Sequence, residues 1–436
     1  MHTLDGTELI KQFDIEHLKT NVGRVVTINA CVHKIKEMGA FAFVMLRTGR
    51  YVVQSVYTNE GCKAPLSDIK EGYYITATGK VREEPRAIYG YEIELNDFTV
   101  LSVPAEDYPL HVSARKLGCS IEANLKYRSV ALRNPHERAA FKIAEGVCEG
   151  FRRFLLQNGF TEIHTPKIVS AGAEGGANIF KLKYFGKDAF LAQSPQFYKQ
   201  TCVAIFDRVF EIGPVYRAEK HNSTRHLNEY IGLDFEMGYI KDMYDVMNIE
   251  TAMLKYVLEY IKAHYQNEIE ITGAKIPEID KIPTITFLEA INIVGGSKSK
   301  HDLEPADEVK ICEQIYKEYG SEFVFITHFP SAKRPFYAMD NPDDPRLAES
   351  FDLLFRGLEI TTGGQRIHDY QQQVEKMKRM NLNPDDFASY LDIHKYGMPP
   401  HGGLGIGLER LVMKLLNLPN IRQASLFPRD INHLDP

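Results

Sequence analysis

Between Val209 and Ile240 the chain changes character at every second residue. Val209, Glu211, Gly213, Val215 and Arg217 alternate with Phe210, Ile212, Pro214 and Tyr216. After the polar stretch 218–228, Tyr230, Gly232, Asp234, Glu236 and Gly238 alternate with Leu233, Phe235, Met237 and Tyr239. A period of two predicts two strands, each with one apolar face. The opposite face holds glycines, carboxylates, an arginine and an aromatic ring, as a floor for a flat base or a small polar ligand would. A solvated strand face with glycines at bulges is the plainer alternative. Helix and strand do not alternate regularly along the chain. That pattern predicts an antiparallel sheet with helices on one face rather than a doubly wound parallel one.

A second block, Gly402-Gly403-Leu-Gly405-Ile-Gly407-Leu-Glu-Arg410, reads as a glycine strip running into a helix. Leu408, Leu411, Val412, Leu415 and Leu416 face inward on that helix, and Arg410 sits in its first turn. The strip superficially matches a G-x-G-x-x-G fingerprint, but it opens no βαβ unit, so close backbone packing is the better reading. The two arginine-centred blocks suit an ATP held in a bent pose on an antiparallel sheet. They do not suit a P-loop or a Rossmann crevice. Between them, Phe351-Asp352 and Glu359 offer two acids that could hold Mg²⁺ against phosphates, since magnesium is commonly bound by one or two carboxylates plus substrate oxygens. Taken alone, they read better as two solvated acids at strand ends. Gly363-Gly364 marks a bulge or a close backbone approach, and a bulge would re-aim Arg366. A guanidinium fork there suits a carboxylate ligand. Ser297-Lys-Ser-Lys300 reads as a flexible surface loop.

Ahead of these blocks the chain has a different texture. Residues 24–101 hold five short runs rich in β-branched and aromatic residues: Val25–Ile28, Phe41–Met45, Tyr51–Val56, Tyr73–Ala77 and Tyr91–Leu95. This predicts a small barrel over 1–104, an OB-fold first and an SH3-like barrel second. Residues 105–135 read as a hinge. At Asn134-Pro135-His-Glu137 a helix starts, with an Asn cap, Pro at the first position and Glu at the third. Phe141, Ala144, Val147, Phe151, Phe154 and Leu155 give its apolar stripe, and Gly159 ends it. Strands dominate from there to about residue 240. The 136–436 region carries a small helix-rich insertion at about 241–320.

The 436 residues are 44% hydrophobic and 25% charged, with a net charge of -6. An acidic chain lacks bulk attraction to nucleic acid, so any RNA contact needs local patches or stacking. The six cysteines are scattered without a C-x-x-C, as free thiols of a reducing compartment would be. No stretch reaches about 18 apolar residues and no leader pattern opens the chain, so a cytoplasmic protein is expected.

These blocks together resemble the class II aminoacyl-tRNA synthetases over nearly the whole chain. The helix from residue 135 with Thr165-Pro166 resembles the first, dimer-forming motif of the class. Phe210–Ile240 resembles the second and Gly402–Leu418 the third. A barrel ahead of the catalytic domain resembles subclass IIb. Ala189-Phe-Leu-Ala-Gln193-Ser194-Pro-Gln196-Phe-Tyr-Lys199-Gln and Ser425-Leu-Phe-Pro-Arg-Asp430 resemble its archaeal and eukaryotic aspartyl branch. The implied fold class is α+β: an OB-fold barrel followed by an antiparallel sheet flanked by helices. The implied activity is ATP-dependent attachment of L-aspartate to tRNA(Asp) by a homodimer, with Mg²⁺ accompanying the ATP.

The resemblance also implies roles. Arg217, Glu219, Tyr230, Glu359 and Arg410 would bind ATP, with Arg217, Arg410 and Glu359 acting in catalysis. Glu174, Ser194, Gln196, Lys199, Asp234, Thr362 and Arg366 would bind aspartate. Asp352, Glu359 and Thr362 would hold Mg²⁺. Phe43 would stack on an anticodon base, while Gln54 and Glu92 would read base edges. His33 falls where tRNA(Asp)-restricted relatives carry a tryptophan. A plain surface histidine and a relaxed site that also admits tRNA(Asn) both remain open. The Lys199 ammonium selects a carboxylate over an amide, which separates this reading from an asparaginyl-tRNA synthetase. A catalytically inactive RNA-binding paralogue is disfavoured by the intact set of ionic residues.

Overall fold

The computed structural model describes residues 11–170, 178–220, 223–296 and 302–435. The chain divides into two compact units between Arg138 and Ala139. The first is built on a closed barrel of β1 (Val25–Glu37), β2 (Ala42–Arg47), β3 (Val52–Tyr57), β4 (Tyr74–Glu83) and β5 (Tyr91–Ser102), in the order β1-β2-β3-β5-β4. Alternation drives it: Val26, Ile28, Val44, Leu46, Val53, Ile75 and Ile93 all point into one core. Closing the barrel leaves no exposed edge among these strands. β1, β4 and β5 run well past the apolar runs, because there buried apolar residues are interleaved with exposed polar ones and form no continuous run.

The second unit begins in helix α1 (Pro135–Gln157). Asn134 caps it as its sequence requires: the His136 N–H donates to Asn134 Oδ1 at 2.9 Å. Gly159 ends it at φ 78°, a left-handed backbone that glycine adopts without strain. The central sheet holds β6 (Thr161–Glu162), β7 (Arg208–Tyr216), β8 (Glu229–Gly238), β9 (Thr284–Thr286), β10 (Phe323–Thr327), β11 (Ser350–Phe355), β12 (Leu358–Arg366) and β13 (His401–Gly407). Their order is β9-β10-β11-β12-β13-β8-β7-β6. The inner pairings are antiparallel, but β6–β7 and β9–β10 are parallel, so the sheet is mixed at its edges.

One face of the sheet is apolar. Phe210, Leu233, Phe235, Leu404, Ile406 and Phe351 pack there with Val147, Phe151 and Leu155 of α1, Val246 and Leu254 of α3 (Met243–His264), and Leu411 and Val412 of α5 (Leu408–Leu415). Within the 241–320 stretch, α3 is therefore part of the main core, while α4 (Pro305–Tyr319) anchors a smaller cluster through Ile311 and Ile315.

The expectation of helices on a single face needs correction. Helix α2 (Gln196–Phe206) lies against the opposite face, its Lys199 reaching Asp234 and Leu404 O. The run of strands expected before residue 240 is thus broken by a helix. Its inward positions are Gln196, Lys199, Gln200 and Val203. Three of these are polar, so a search for apolar periodicity passes over them.

Candidate active site

The second face of the sheet floors a cavity of about 540 Å³. Ser194, Gln196, Lys199, Arg217, Glu219, Tyr230, Asp234, Glu359, Thr362, Arg366 and Arg410 all line it. Residues drawn from more than two hundred positions of chain meet here because register places them: Glu211 opposes Asp234, Asp234 opposes Gly405, and Gly405 opposes Thr362. The glycines keep the floor low. A Cβ at Gly403 would lie 2.2 Å from Phe235 O and 2.3 Å from Glu236 Oε2. Gly363 is closed on the opposite, apolar face, its Cβ position 2.4 Å from Phe351 Cζ. Close backbone approach, rather than a bulge, is therefore why Gly363-Gly364 is glycine. Pairing runs regularly through both, and the bulge of β12 falls at Ile360, where Leu353 pairs with Thr361 and Leu354 with Glu359.

At one end of the cavity two cations are buried together. Lys199 is 2% exposed and Arg366 5%. Lys199 Nζ donates to Asp234 Oδ1 at 3.0 Å and lies 3.3 Å from Glu236 Oε2. Arg366 Nε donates to Glu236 Oε1 at 2.8 Å, and its NH2 group donates to Gly403 O at 2.8 Å. Glu236 thus bridges the two cations. Burial alone pushes its carboxyl up, but Arg366 and Lys199 outweigh that and hold it below the usual range. Burial also pushes Asp234 up, against the pull of Lys199. Glu236 lies on the polar face that the alternation of β8 marks out, but its spacing gives no sign of the bridge. The amide nitrogen of Gln196 is buried without a hydrogen-bond partner among the described residues, leaving a donor for a ligand.

At the other end the turn after β7 is locked by Asn228. Its side-chain amide donates to Arg217 O at 2.7 Å and to Glu219 O at 2.9 Å, fixing the backbone from which both side chains project. Across the cavity, Arg410 donates to Glu359 O at 2.9 Å and to Glu359 Oε1 at 3.3 Å. The Thr362 hydroxyl donates to the same carboxylate oxygen at 3.3 Å. Glu409 accepts from the Ile231 N–H beside Tyr230, and burial pushes its carboxyl up to about 7.

Asp352 does not line the cavity itself. It is 7% exposed, and its Oδ2 accepts from Arg334 at 2.8 Å. Burial, with Glu359 adding repulsion and Arg334 opposing both, brings it to about 6. Its Oδ1 has no hydrogen-bond partner among the described residues. Glu174 lies outside the described residues.

In the barrel, His33 is the extra residue of a bulge between Val32 and Lys34. Burial and then the cations Arg47 and Arg138 hold it near 4, as a neutral ring. Phe43 meets Phe41 edge to face at 5.2 Å. Gln54 donates to Glu92 Oε2 at 2.6 Å, and Arg82 takes Glu92 Oε1. The structure therefore joins Gln54 to Glu92, but Glu92 is only 1% exposed and both its oxygens are engaged.

The comparisons with known proteins fit this geometry. Residues 120–431 match the family described as tRNA synthetases class II (D, K and N), and residues 23–101 match the OB-fold nucleic acid binding domain. The chain is 43% identical over 440 residues to an aspartate–tRNA(Asp/Asn) ligase of Deinococcus radiodurans, covering 99% of this chain and 100% of that one. It is 38% identical over 426 residues to an aspartate–tRNA(Asp) ligase of Pyrococcus abyssi, covering 95% and 97%. Among solved structures it resembles asparaginyl-tRNA synthetase from Pyrococcus horikoshii complexed with asparaginyl-adenylate, with a TM-score of 0.89, 29% identity and coverage of 98% and 100%. An OB-fold followed by this sheet and site defines a class II aminoacyl-tRNA synthetase. The chain belongs to the aspartate–tRNA ligase family of that class.

Proposed function

We propose that the chain activates L-aspartate with ATP and transfers it to tRNA(Asp), working in the cytoplasm as a homodimer. The observation that carries this reading is the buried Lys199–Glu236–Arg366 group at the end of a cavity that also holds Arg217 and Arg410. Two fixed cations suit the side-chain carboxylate of aspartate. The Asp234 carboxylate suits its ammonium, and the unpartnered Gln196 amide N–H suits a carboxylate oxygen. An asparagine amide has one acceptor oxygen for the two cations, and its NH2 would face a second donor. The structural likeness to an asparaginyl enzyme extends to the fold, while Lys199 separates the substrates.

In the first step an α-carboxylate oxygen of aspartate attacks the α-phosphorus of ATP, and pyrophosphate leaves. No side chain needs to act as a nucleophile. Arg217 sits where charge develops on the α-phosphate, and Arg410 holds the far end of the bent triphosphate. Fixed cations of this kind lower the barrier because they need no reorganisation. Glu219 takes the adenine amino group, and Tyr230 stacks on the ring. The unpartnered Asp352 Oδ1, with Glu359 and Thr362 beside it, is a donor set of hard oxygens that fits Mg²⁺. Those residues would hold the ion, which neutralises phosphate charge when bound. In the second step the 3′-hydroxyl of the terminal ribose attacks the adenylate carbonyl, and AMP leaves.

Arg217→Ala should lower aspartate-dependent ATP–pyrophosphate exchange by ~10²–10³, the effect of removing one preorganised donor. Exchange near the wild-type rate, or exchange supported equally by asparagine, would end this reading. For the barrel we propose Phe43 as a stacking platform and the region of His33 as the discriminator. We further propose that tRNA(Asn) is charged with aspartate as well. A neutral, small ring at the bulge leaves room where a tryptophan would fill it. Charging of purified transcripts decides the point: both tRNAs accept aspartate, or strict refusal of tRNA(Asn) removes it.

A further inference from the structure

The phosphate end of the cavity depends on Glu359, and Glu359 sits beside a bulge. A bulge disrupts the local ladder, so the residue needs other partners to hold its direction. The structure supplies them from two helices. The Glu359 N–H donates to Glu308 Oε2 of α4 at 3.0 Å, and Glu359 O accepts from Arg410 of α5 at 2.9 Å. The same Glu308 oxygen accepts from the guanidinium of Arg225, which belongs to the connection between β7 and β8 and lines the cavity. Glu308 is 6% exposed and does not line the cavity. One buried carboxylate oxygen therefore joins the loop after Arg217 to the strand that carries Glu359. Helix α4 has a separate apolar anchorage in Ile311 and Ile315.

We propose that Glu308 is a positioning residue for the triphosphate, setting Arg225 and Glu359 in a single arrangement before ATP arrives. It rests on the adenylation reading above and adds to it a residue that touches no substrate.

The experiment compares wild type, Glu308→Gln and Glu308→Ala by calorimetric binding of ATP, aspartate KM in exchange, and thermal melting. Glu308→Ala should weaken ATP binding about tenfold or more, the scale of one lost charge-assisted contact, with aspartate KM within about twofold of wild type. Glu308→Gln keeps an acceptor for the Glu359 N–H but loses the charge facing Arg225, and should fall between. Arg225→Ala combined with Glu308→Ala should weaken ATP binding less than the sum of the single effects. Unchanged ATP affinity in Glu308→Ala overturns the proposal. So does a fall in melting temperature with ATP and aspartate affinities lowered in equal proportion, which would make Glu308 a plain structural residue. ATP affinity is measured without the amino acid. A wild type that binds ATP but fails to exchange with aspartate would sink the substrate reading while still deciding Glu308, and a wild type that binds no ATP overturns both.

Discussion

Two glutamates lie on opposite faces of the same sheet, each completely buried, and the protein treats them in opposite ways. Glu236 projects from the cavity face of β8 and lies buried between Arg366 and Lys199, where it is held as an anion. Glu250 reaches from α3 to the apolar face, where the Thr361 hydroxyl donates to its Oε1 at 2.6 Å. Its Oε2 has no partner among the described residues, and burial pushes it up to about 8, so near neutral pH it is mostly protonated. Burial by itself does not decide charge; the neighbours do. The apolar face accepts a neutral acid as one more packed side chain. The cavity face keeps ions in place at a desolvation cost, and so holds a ready-made field for a charged substrate.

The same substitution at the two sites should separate them. Glu236→Gln leaves Lys199 and Arg366, among the described residues, with Asp234 alone as a paired carboxylate. Removing one partner from a buried ionic group costs about 3–5 kcal/mol, so urea denaturation at pH 7.5 should show a loss of that order. A loss below about 1 kcal/mol would mean the group is not a coupled unit. Glu250→Gln should do the reverse, with a smaller effect. The folded-state pKa of Glu250 is raised above its unfolded value near ~4.3, so its contribution is fully present below that value and is lost as pH rises through about 8. Glutamine keeps an acceptor for Thr361 and cannot ionise. The stability of the variant relative to wild type should therefore grow by about 3 kcal/mol from pH 5 to pH 8. A difference that stays flat, or moves the other way, would show that Glu250 is ionised and that the contrast between the faces fails.

Much of this was legible in the chain before folding. The alternation from Val209 to Gly238 marked the core face and the ligand face of the hairpin, and register confirms which residues share a side. The five apolar runs marked five barrel strands, and Asn134 and Gly159 marked the ends of α1. Other features left no local trace. Helix α2 hides its period because Gln196, Lys199 and Gln200 are the residues it buries. The parallel edges involve strands of two and three residues, too short for any pattern. The bulge at Ile360 comes from how β12 meets β11, not from its own composition. Glu308 meets Arg225 across 83 positions and the Glu359 N–H across 51, so neither contact follows from spacing.

Arg217, Arg366 and Arg410 could be named from the sequence because residue type and motif spacing are local properties that read directly as chemistry, and Lys199 because its segment resembles the aspartyl branch. Only the tertiary structure decided that Glu236 joins Lys199 to Arg366, that Glu250 meets the Thr361 hydroxyl rather than a cation, and that Glu308 ties a loop to a strand. The reason is physical. Whether a buried carboxyl is an anion, a neutral acid or a clamp depends on what lies within about 4 Å of it, and those neighbours come from distant parts of the chain.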